Sequence, residues 1–423
     1  MRFLADLHVH SKYSRATSKE MDLENMAIWA KMKGIKVVAT GDFTHPDWFF
    51  NIKTKLKSAG NGLFVLKNPP SNPYIPGMRL EPEDVYFILS TEISLIYSRN
   101  ERVRKIHVVL LCESLEEVRR LNEILGSIGN LQADGRPTFG MDFRQLIEIV
   151  LKYAPSAAII PAHIWTPWFS LFGSNSGFDS IEECCGDLAQ YITALETGLS
   201  SDPPMDWRLS QLDKFTLVSN SDAHSPSRIG REANLFDTEL SYEGIINAIK
   251  TRKGFLATVE FFPEEGKYHF DGHRACNVKL HPREAMKNNN ICPVCKRPLT
   301  IGVAHRVEEL ADRPEGTRPE GAVDYMHLIP LNELIGMAEG KGPETKGVIE
   351  KYFSAIKTLG NEFKILKEVD LSEIKKILGS ELARGIENMR KGKVEVEPGY
   401  DGVYGKINPF VAEENKPEQP TLF

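Results

Sequence analysis

Six of the 11 histidines lie within or just after short apolar runs in the first 225 residues. His8 and His10 are two residues apart. In a strand such residues point to the same side, so both can grip one ion. Asp42 and His45 follow the second run, Glu92 ends the third, and His163 follows the fifth. Asp222 and His224 follow the seventh. His107 is the exception, because it sits early in the fourth run. One buried histidine at a strand end is usually an ordinary core residue. So many recurring at successive strand ends point to metal ligation. Imidazole and carboxylate suit Zn²⁺, Mn²⁺ or Fe²⁺, with Mg²⁺ a further candidate. The number of ligands implies two or three divalent ions, with a carboxylate such as Glu92 shared between two. Such a cluster generates hydroxide near neutral pH and neutralises charge on attacking and leaving oxygens, which is phosphoester chemistry.

A second constellation is smaller. His273, Cys276, Cys292 and Cys295 have the spacing of one structural zinc site, with His281 and, more distantly, His269 as rival fourth ligands. The short Cys292–Cys295 turn lets two thiolates reach one ion, which would staple a segment too small to fold alone. Cys112, Cys184 and Cys185 have no such company and read as core residues. Six cysteines in 423 residues do not make a disulfide scaffold.

These residues need a frame. Apolar runs near residues 3–8, 35–40, 86–92, 106–112, 157–163, 192–196 and 215–220 alternate with helical patterns over 22–33, 115–126 and 142–153. That alternation predicts an α/β barrel. A closing helix (about 242–252) and a strand-like run 254–261 follow. Residues 305–322, charged and rich in Pro, Gly and Arg, read as a mobile loop. Residues 330–392 read as helices, the clearest one capped by Asp370 and running through Ile374, Ile377, Leu378, Leu382 and Ile386. The expected division is a barrel over 1–265, a zinc-binding module with its loop over 266–325, a helical DNA-binding region over 326–410 and a flexible tail over 411–423. With 41% hydrophobic and 26% charged residues and a net charge of −6, the composition is that of an ordinary globular chain. It excludes a uniformly basic coat but not local basic patches. No apolar stretch is long enough for a membrane span, and the first residues lack the apolar core of a signal peptide. A cytoplasmic location is expected. The five glutamines amid abundant Lys and Glu hint at a thermophilic source.

The motifs His8-x-His10, Glu92, His107, His163 and Asp222-x-His224 together resemble the polymerase-and-histidinol-phosphatase (PHP) family of metal-dependent phosphoesterases. The resemblance implies a distorted seven-stranded (β/α) barrel with a multinuclear metal site. It implies one ion on His8, His10, Glu92 and Asp222, a second on Glu92, His107 and His163, and a third on His224 with His45 or Asp42. Two departures bear on the third ion. The family's Thr-Asp-His is here Gly41-Asp42-Phe43-Thr44-His45, and the region of Arg15 and Ala16 lacks an expected ligand.

About 200 further residues follow the motifs, whereas small-molecule phosphatases of the family are mostly the barrel alone. The whole chain is similar to the family's lesion-directed DNA-repair branch, found in archaea and some bacteria. The likeness is carried by Thr40 to Pro46, by Asn290 to Cys295 and by the order of barrel, zinc module and helices. It implies metal-dependent hydrolysis of the phosphodiester 5′ to deoxyuridine, deoxyinosine, deoxyxanthosine or an abasic site, in double- or single-stranded DNA; because stacking hides the base edge that must be read, base flipping is expected. Trp165, Trp168 and Phe172 are candidates to stack on a base, and Ser174 and Asn175 to meet its edge. Arg102, Arg104, Lys296 and Arg297 are candidates for phosphate contact. The tail Gln419-Pro420-Thr421-Leu422-Phe423 resembles a docking motif for a PCNA-type sliding clamp, with Gln419, Leu422 and Phe423 as its contacts. A monomer is expected. The competing readings are a small-molecule phosphatase of the same barrel, acting on a histidinol-phosphate-like or nucleotide substrate, and a non-catalytic DNA-binding module.

Overall fold

The computed structural model describes residues 1–411. The clamp-like motif with Gln419, Leu422 and Phe423 lies outside the described residues. Seven strands form the ring that carries the site: β1 (Arg2–Asp6), β2 (Ile35–Ala39), β3 (Tyr86–Arg99), β4 (Arg102–Cys112), β5 (Ala158–Pro161), β6 (Leu195–Glu196) and β7 (Leu217–Val218). The first three are parallel. β4 returns antiparallel along Leu89 to Arg99 of β3, and β5 is antiparallel to β4. Thr193 N donates to Ile159 O at 2.8 Å and Ile164 N to Glu196 O at 3.0 Å, which joins β5 to β6. β7 is parallel to β6. The ring closes where His10 N donates to Ala223 O at 3.0 Å. The chain is thus an α/β protein built on a distorted seven-stranded barrel. Outside the ring, β8 (Ala233–Asp237) pairs antiparallel with β1, β9 (Phe255–Glu260) antiparallel with β8, and β10 (Asp324–His327) parallel with β9.

The apolar runs match the ring strands, but β3 and β4 run well past them. Asn100 and Glu101 are both left-handed (φ 52° and 60°), the geometry of a two-residue hairpin turn that suits strand twist. Leu95 and Tyr97 are buried, so the hairpin stays packed beyond Glu92. The antiparallel return explains His107. It pairs opposite Ser94, two residues past Glu92, so an early position in β4 sits beside the functional end of β3.

Helices follow their caps. The Asp22 side chain accepts from Asn25 N to open the helix Leu23–Lys33, and Asp142 and Gln145 form a capping box for Phe143–Tyr153. Two expectations need correction. Residues 305–310 are not loop but part of the helix Val303–Leu310, whose Val303, His305 and Val307 are buried. The helix from Asp370 is two helices, Leu371–Leu378 and Ser380–Arg390, because Gly379 (φ 99°, ψ 162°) turns the chain between them.

The C-terminal helices dock on the barrel through one buried cluster. Lys33 Nζ lies 2.7 Å from Glu362 Oε2, Tyr352 Oη donates to the same oxygen at 2.8 Å, and Leu331 N donates to Glu362 Oε1 at 3.1 Å. The hairpin Asp271–His273/Val278–Leu280 and the segment to Leu299 keep a small core of their own, made of Val278, Ala285, Cys292 and Leu299. Among the described residues no helix is long and apolar enough to cross a membrane.

Candidate metal centre and nucleic-acid surface

His8 and His10 leave β1 on the same side, as their spacing requires. Glu92 comes from β3, His107 from β4, His163 from the turn after β5, and Asp222 from the turn after β7. His163 and Asp222 both sit in left-handed backbone (φ 29° and 47°). Such strained non-glycine residues cluster where geometry serves function.

Glu92 is the hub. Its Oε2 lies 3.2 Å from His10 Nε2 and 3.8 Å from His8 Nε2. Its Oε1 lies 2.8 Å from His107 Nδ1 and 3.2 Å from His163 Nε2. One carboxylate therefore faces two histidine pairs, one with each oxygen. Asp222 Oδ1 completes the first set, 3.2 Å from His10 Nε2 and 3.7 Å from His8 Nε2. His8 Nε2, His10 Nε2 and Asp222 Oδ1 are buried without a hydrogen-bond partner. Converging unsatisfied donor atoms of this kind fit a divalent ion, since buried polar groups otherwise find partners. The ligand-atom groupings are His8, His10 and Glu92; Glu92, His107 and His163; and His10, Asp222 and His224.

The set implied for a third ion is not brought together. Asp42 turns its carboxylate to the back of His10, with Oδ1 3.0 Å from His10 Nδ1, and Oδ2 accepts from Ser11 N, Ser11 Oγ and Ser14 Oγ at 2.7, 2.6 and 2.9 Å. The His45 ring stacks on Tyr13, centroids 4.4 Å apart. Neither joins His224 in a three-residue ligand group among the described residues.

Electrostatics match the geometry. Burial opposes charge on His8 and His10, but the carboxylates Glu196 and Glu92 around His8, and Asp42, Asp222 and Glu92 around His10, raise both well above the ordinary histidine value. Burial pushes His107 down to about 4 despite Glu92, leaving a neutral ring with a lone pair to offer. Burial works against ionisation of Glu92, and His107 and Arg136 overcome it, holding its carboxyl well below the usual range. The carboxylates thus impose a negative potential on a small volume, which is a cation's environment.

Two residues here had not been singled out. Glu196, fully buried at the end of β6, holds His8 Nδ1 with its oxygens at 3.0 and 3.1 Å, and accepts from His163 N at 2.9 Å and Asn220 Nδ2 at 2.8 Å. Its position at a strand end, in a ring where the other strand ends carry ligands, was the available signal. Arg136 donates to Glu92 Oε2 at 2.9 Å. It lies in a loop, and no spacing marks it.

The four residues His273, Cys276, Cys292 and Cys295 also come together, with Cys295 Sγ 3.5 Å from His273 Nδ1. The rivals are elsewhere. His281 caps the helix Pro282–Lys287 and faces Glu315 at 3.4 Å, while His269 is buried against Phe270. Cys112, Cys184 and Cys185 are buried as core residues.

The residues proposed for DNA contact divide by exposure. Trp165 and Phe172 are buried and stacked on each other at 5.0 Å, and Trp165 Nε1 donates to Asp206 Oδ1. Arg104 is also buried. It donates to Gly177 O, pairs with Glu183 at 3.0 Å and lies 4.0 Å from the centre of the Phe178 ring. These three are interior packing and cannot meet DNA as they stand. Trp168 is exposed, with Lys105 Nζ 4.7 Å over its ring, and the adjacent Phe169 ring lies 4.6 Å from that of His107. Ser174, Asn175, Arg102, Lys296 and Arg297 are exposed.

Residues 330–393 match the family model of the MJ0043 C-terminal domain. The uncharacterized protein MJ0043 of Methanocaldococcus jannaschii is 38% identical over 252 residues, 58% of this chain and 31% of that protein, so the chain spans less than a third of that relative. The uncharacterized protein YqxK of Bacillus subtilis is 26% identical over 96% of this chain and 100% of its own length. Among solved structures, the lesion-specific endonuclease PfuEndoQ of Pyrococcus furiosus superposes with a TM-score of 0.83 at 32% identity, covering 96% of this chain and 95% of its own. An endonuclease Q in complex with a 27-mer duplex carrying an abasic lesion at the active site gives 0.81 at 31% identity, covering 98% and 99%. The likeness runs through the barrel, the Cys/His cluster and the C-terminal helices alike, and the chain belongs to the endonuclease Q family.

Proposed function

We propose that the protein is a lesion-specific DNA endonuclease that hydrolyses the phosphodiester 5′ to deaminated bases and abasic sites. The observation that carries this reading is the end-to-end likeness to an endonuclease Q holding an abasic duplex at its active site. When bound, divalent ions supply a nucleophile from water near neutral pH and Lewis acidity at the phosphoryl group. His8, His10, Glu92 and Asp222 would hold one ion, and Glu92, His107 and His163 a second. Zn²⁺, Mn²⁺ and Mg²⁺ are the candidates. Glu196 and Asp42 keep the rings of His8 and His10 turned so that Nε2 faces inward. No side-chain nucleophile is needed.

Reading a uracil or hypoxanthine requires its edge, so the nucleotide leaves the stack at a cost of roughly a few kcal/mol, least where pairing is already weak. Trp168, exposed and next in sequence to Phe169, whose ring lies 4.6 Å from that of His107, is the residue proposed to stack on a base. Lys296 and Arg297, exposed directly after the Cys292–Cys295 turn, are proposed to meet phosphates, and His273, Cys276, Cys292 and Cys295 would hold the structural zinc ion. The tail Gln419–Phe423 is proposed to dock a sliding clamp.

The test uses labelled duplexes with a single uracil, hypoxanthine or abasic site plus Mg²⁺ or Mn²⁺, with the product ends mapped. A cut 5′ of the lesion supports the proposal. Turnover of small phosphoesters alone supports a phosphatase, and binding without cutting a non-catalytic module. Asp222→Ala and His8→Ala are each expected to abolish cutting while lesion-duplex affinity by gel shift stays within about three-fold, because neither residue is placed to contact the phosphate backbone.

A further inference from the structure

Among the described residues, Arg136 is the one arginine or lysine paired with Glu92, the hub of the metal centre. Its Nη1 bonds Glu92 Oε2, the oxygen that also faces His8 and His10. Its side chain is 26% exposed, against none for Glu92, so it lies on the solvent side of the site. The loop that delivers it is fixed on both flanks. Gly135 N donates to Tyr13 O at 3.0 Å, and Gly135 O accepts from Thr44 Oγ1 at 3.3 Å. A Cβ on Gly135 would fall 2.4 Å from Asp42 Oδ2 and 2.5 Å from Ser14 Oγ, so only glycine lets the loop press against the network behind His10. On the other flank Ser94 N donates to Pro137 O at 3.0 Å, and Thr138 and Phe139 pair with Ser94 and Leu95 of β3.

A guanidinium held there poses an electrostatic problem. The carboxylate it touches is the one placed to serve two divalent ions, and fixed positive charges a few ångströms apart repel strongly where water is scarce. An anion lying between them removes the conflict. The guanidinium has five N–H donors, and among the described residues its hydrogen bond is the single one to Glu92. Nε and Nη2 keep a planar fork that matches two oxygens of a phosphate.

Resting on the phosphodiesterase reading, we propose that Arg136 is a catalytic residue that grips a non-bridging oxygen of the scissile phosphate. It adds fixed positive charge on the side of the phosphoryl group away from the ions. Without substrate it rests on Glu92. The rival is that Arg136 only positions Glu92 for its ions.

The two are separated with metal-loaded wild type, Arg136→Ala and Arg136→Lys. Metal content is measured by mass spectrometry, inorganic phosphate affinity by calorimetry, and cleavage of a uracil duplex under single turnover. Thermal melting checks that each variant is folded. Expected are unchanged metal content, a loss of phosphate affinity of about ten- to a hundred-fold in Arg136→Ala, partial recovery in Arg136→Lys, and a parallel loss in cleavage rate. The salt slope of DNA binding should also fall by about one. Loss of metal instead assigns the residue to positioning and overturns the proposal. So does a phosphate affinity undetectable in wild type or changed less than two-fold in Arg136→Ala. If wild type binds phosphate through Arg136 but leaves lesion duplexes intact, the endonuclease reading fails and the role of Arg136 stands. If it cuts lesions while Arg136→Ala binds phosphate normally, the reverse holds.

Discussion

At the scale of single residues, the centre is set by which ring nitrogen is already spoken for. His8 gives Nδ1 to Glu196 and His10 gives Nδ1 to Asp42, so both present Nε2 to the same volume. Partners that orient a ligating imidazole are typically worth 10–100-fold in metal affinity or activity. Glu196→Ala is therefore expected to weaken metal binding by about that factor while every direct ligand is kept, as read by competition with a chromophoric chelator. The tryptophans after His163 make a contrasting pair. Trp165 is 1% exposed and hydrogen-bonded to Asp206, whereas Trp168 is 50% exposed. Trp165→Ala is expected to cost about 3–5 kcal/mol in chemical denaturation. Trp168→Ala is expected to leave stability within about 0.5 kcal/mol. It should reduce discrimination between uracil and thymine duplexes by about ten-fold or more, if a base stacks on it. His-x-His, Glu92 and Asp222 are legible from residue type and strand-end position alone. Trp165 and Trp168 are not distinguishable that way, because the hydrogen bond that helps bury Trp165 comes from Asp206, 41 positions away.

At the scale of elements, the β3–β4 hairpin decides how the second metal set forms. A barrel read as repeated strand–helix units places every functional residue at a strand's C-terminal end, and His107 breaks that rule only because β4 runs backwards. Strand direction is a tertiary property, so the resemblance to a family located His107 where periodicity did not. The helix Val303–Leu310 was missed for a related reason. Its polar and charged residues read as loop, while Val303, His305 and Val307 bury one face. His305 Nδ1 lies 2.5 Å from Asp271 Oδ2, on the hairpin that also carries His273. Burial opposes its charge, but Asp271 and Glu309 raise its pKa from 6.5 to about 9. A histidine raised in the folded state adds stability that is fully present below its unfolded pKa and lost as pH rises through the folded one. The contact should thus be strongest below pH 6.5 and fade towards pH 9. Calorimetric melting of His305→Gln against wild type is expected to show the larger deficit at pH 6 and a smaller one above pH 9.

At the scale of the molecule, a net charge of −6 is compatible with a DNA substrate because acidic groups such as Asp42, Glu92 and Glu196 are buried at the metal centre while basic side chains such as Arg102, Lys296 and Arg297 are exposed. Modest net charge also limits non-specific affinity, which grows with each phosphate contact. How the outer helices hold the barrel was beyond sequence reading. Lys33 and Glu362 are 329 positions apart, and nothing local in either marks it for burial. In the fold their side chains are 4% and 7% exposed, and Tyr352 and the Leu331 amide complete the carboxylate's partners. A buried pair is expensive to break on one side, since the remaining charge stays desolvated. Replacing both partners by apolar groups is often neutral. Glu362→Ala is therefore expected to cost about 3–5 kcal/mol and to open the helices after Leu331 to limited proteolysis. The double variant Lys33→Met with Glu362→Gln, which removes both charges and keeps an acceptor for Tyr352 and the Leu331 amide, should recover most of that stability. Because the pair joins the helix Leu23–Lys33 to the helix Glu362–Lys367, both outside the ring, metal content should not change in either. If the single variant also lost its metals, the barrel and the helices would be one cooperative unit. Retained metals with cleavable helices would make the C-terminal region a separately unfolding body clamped to the barrel by this contact.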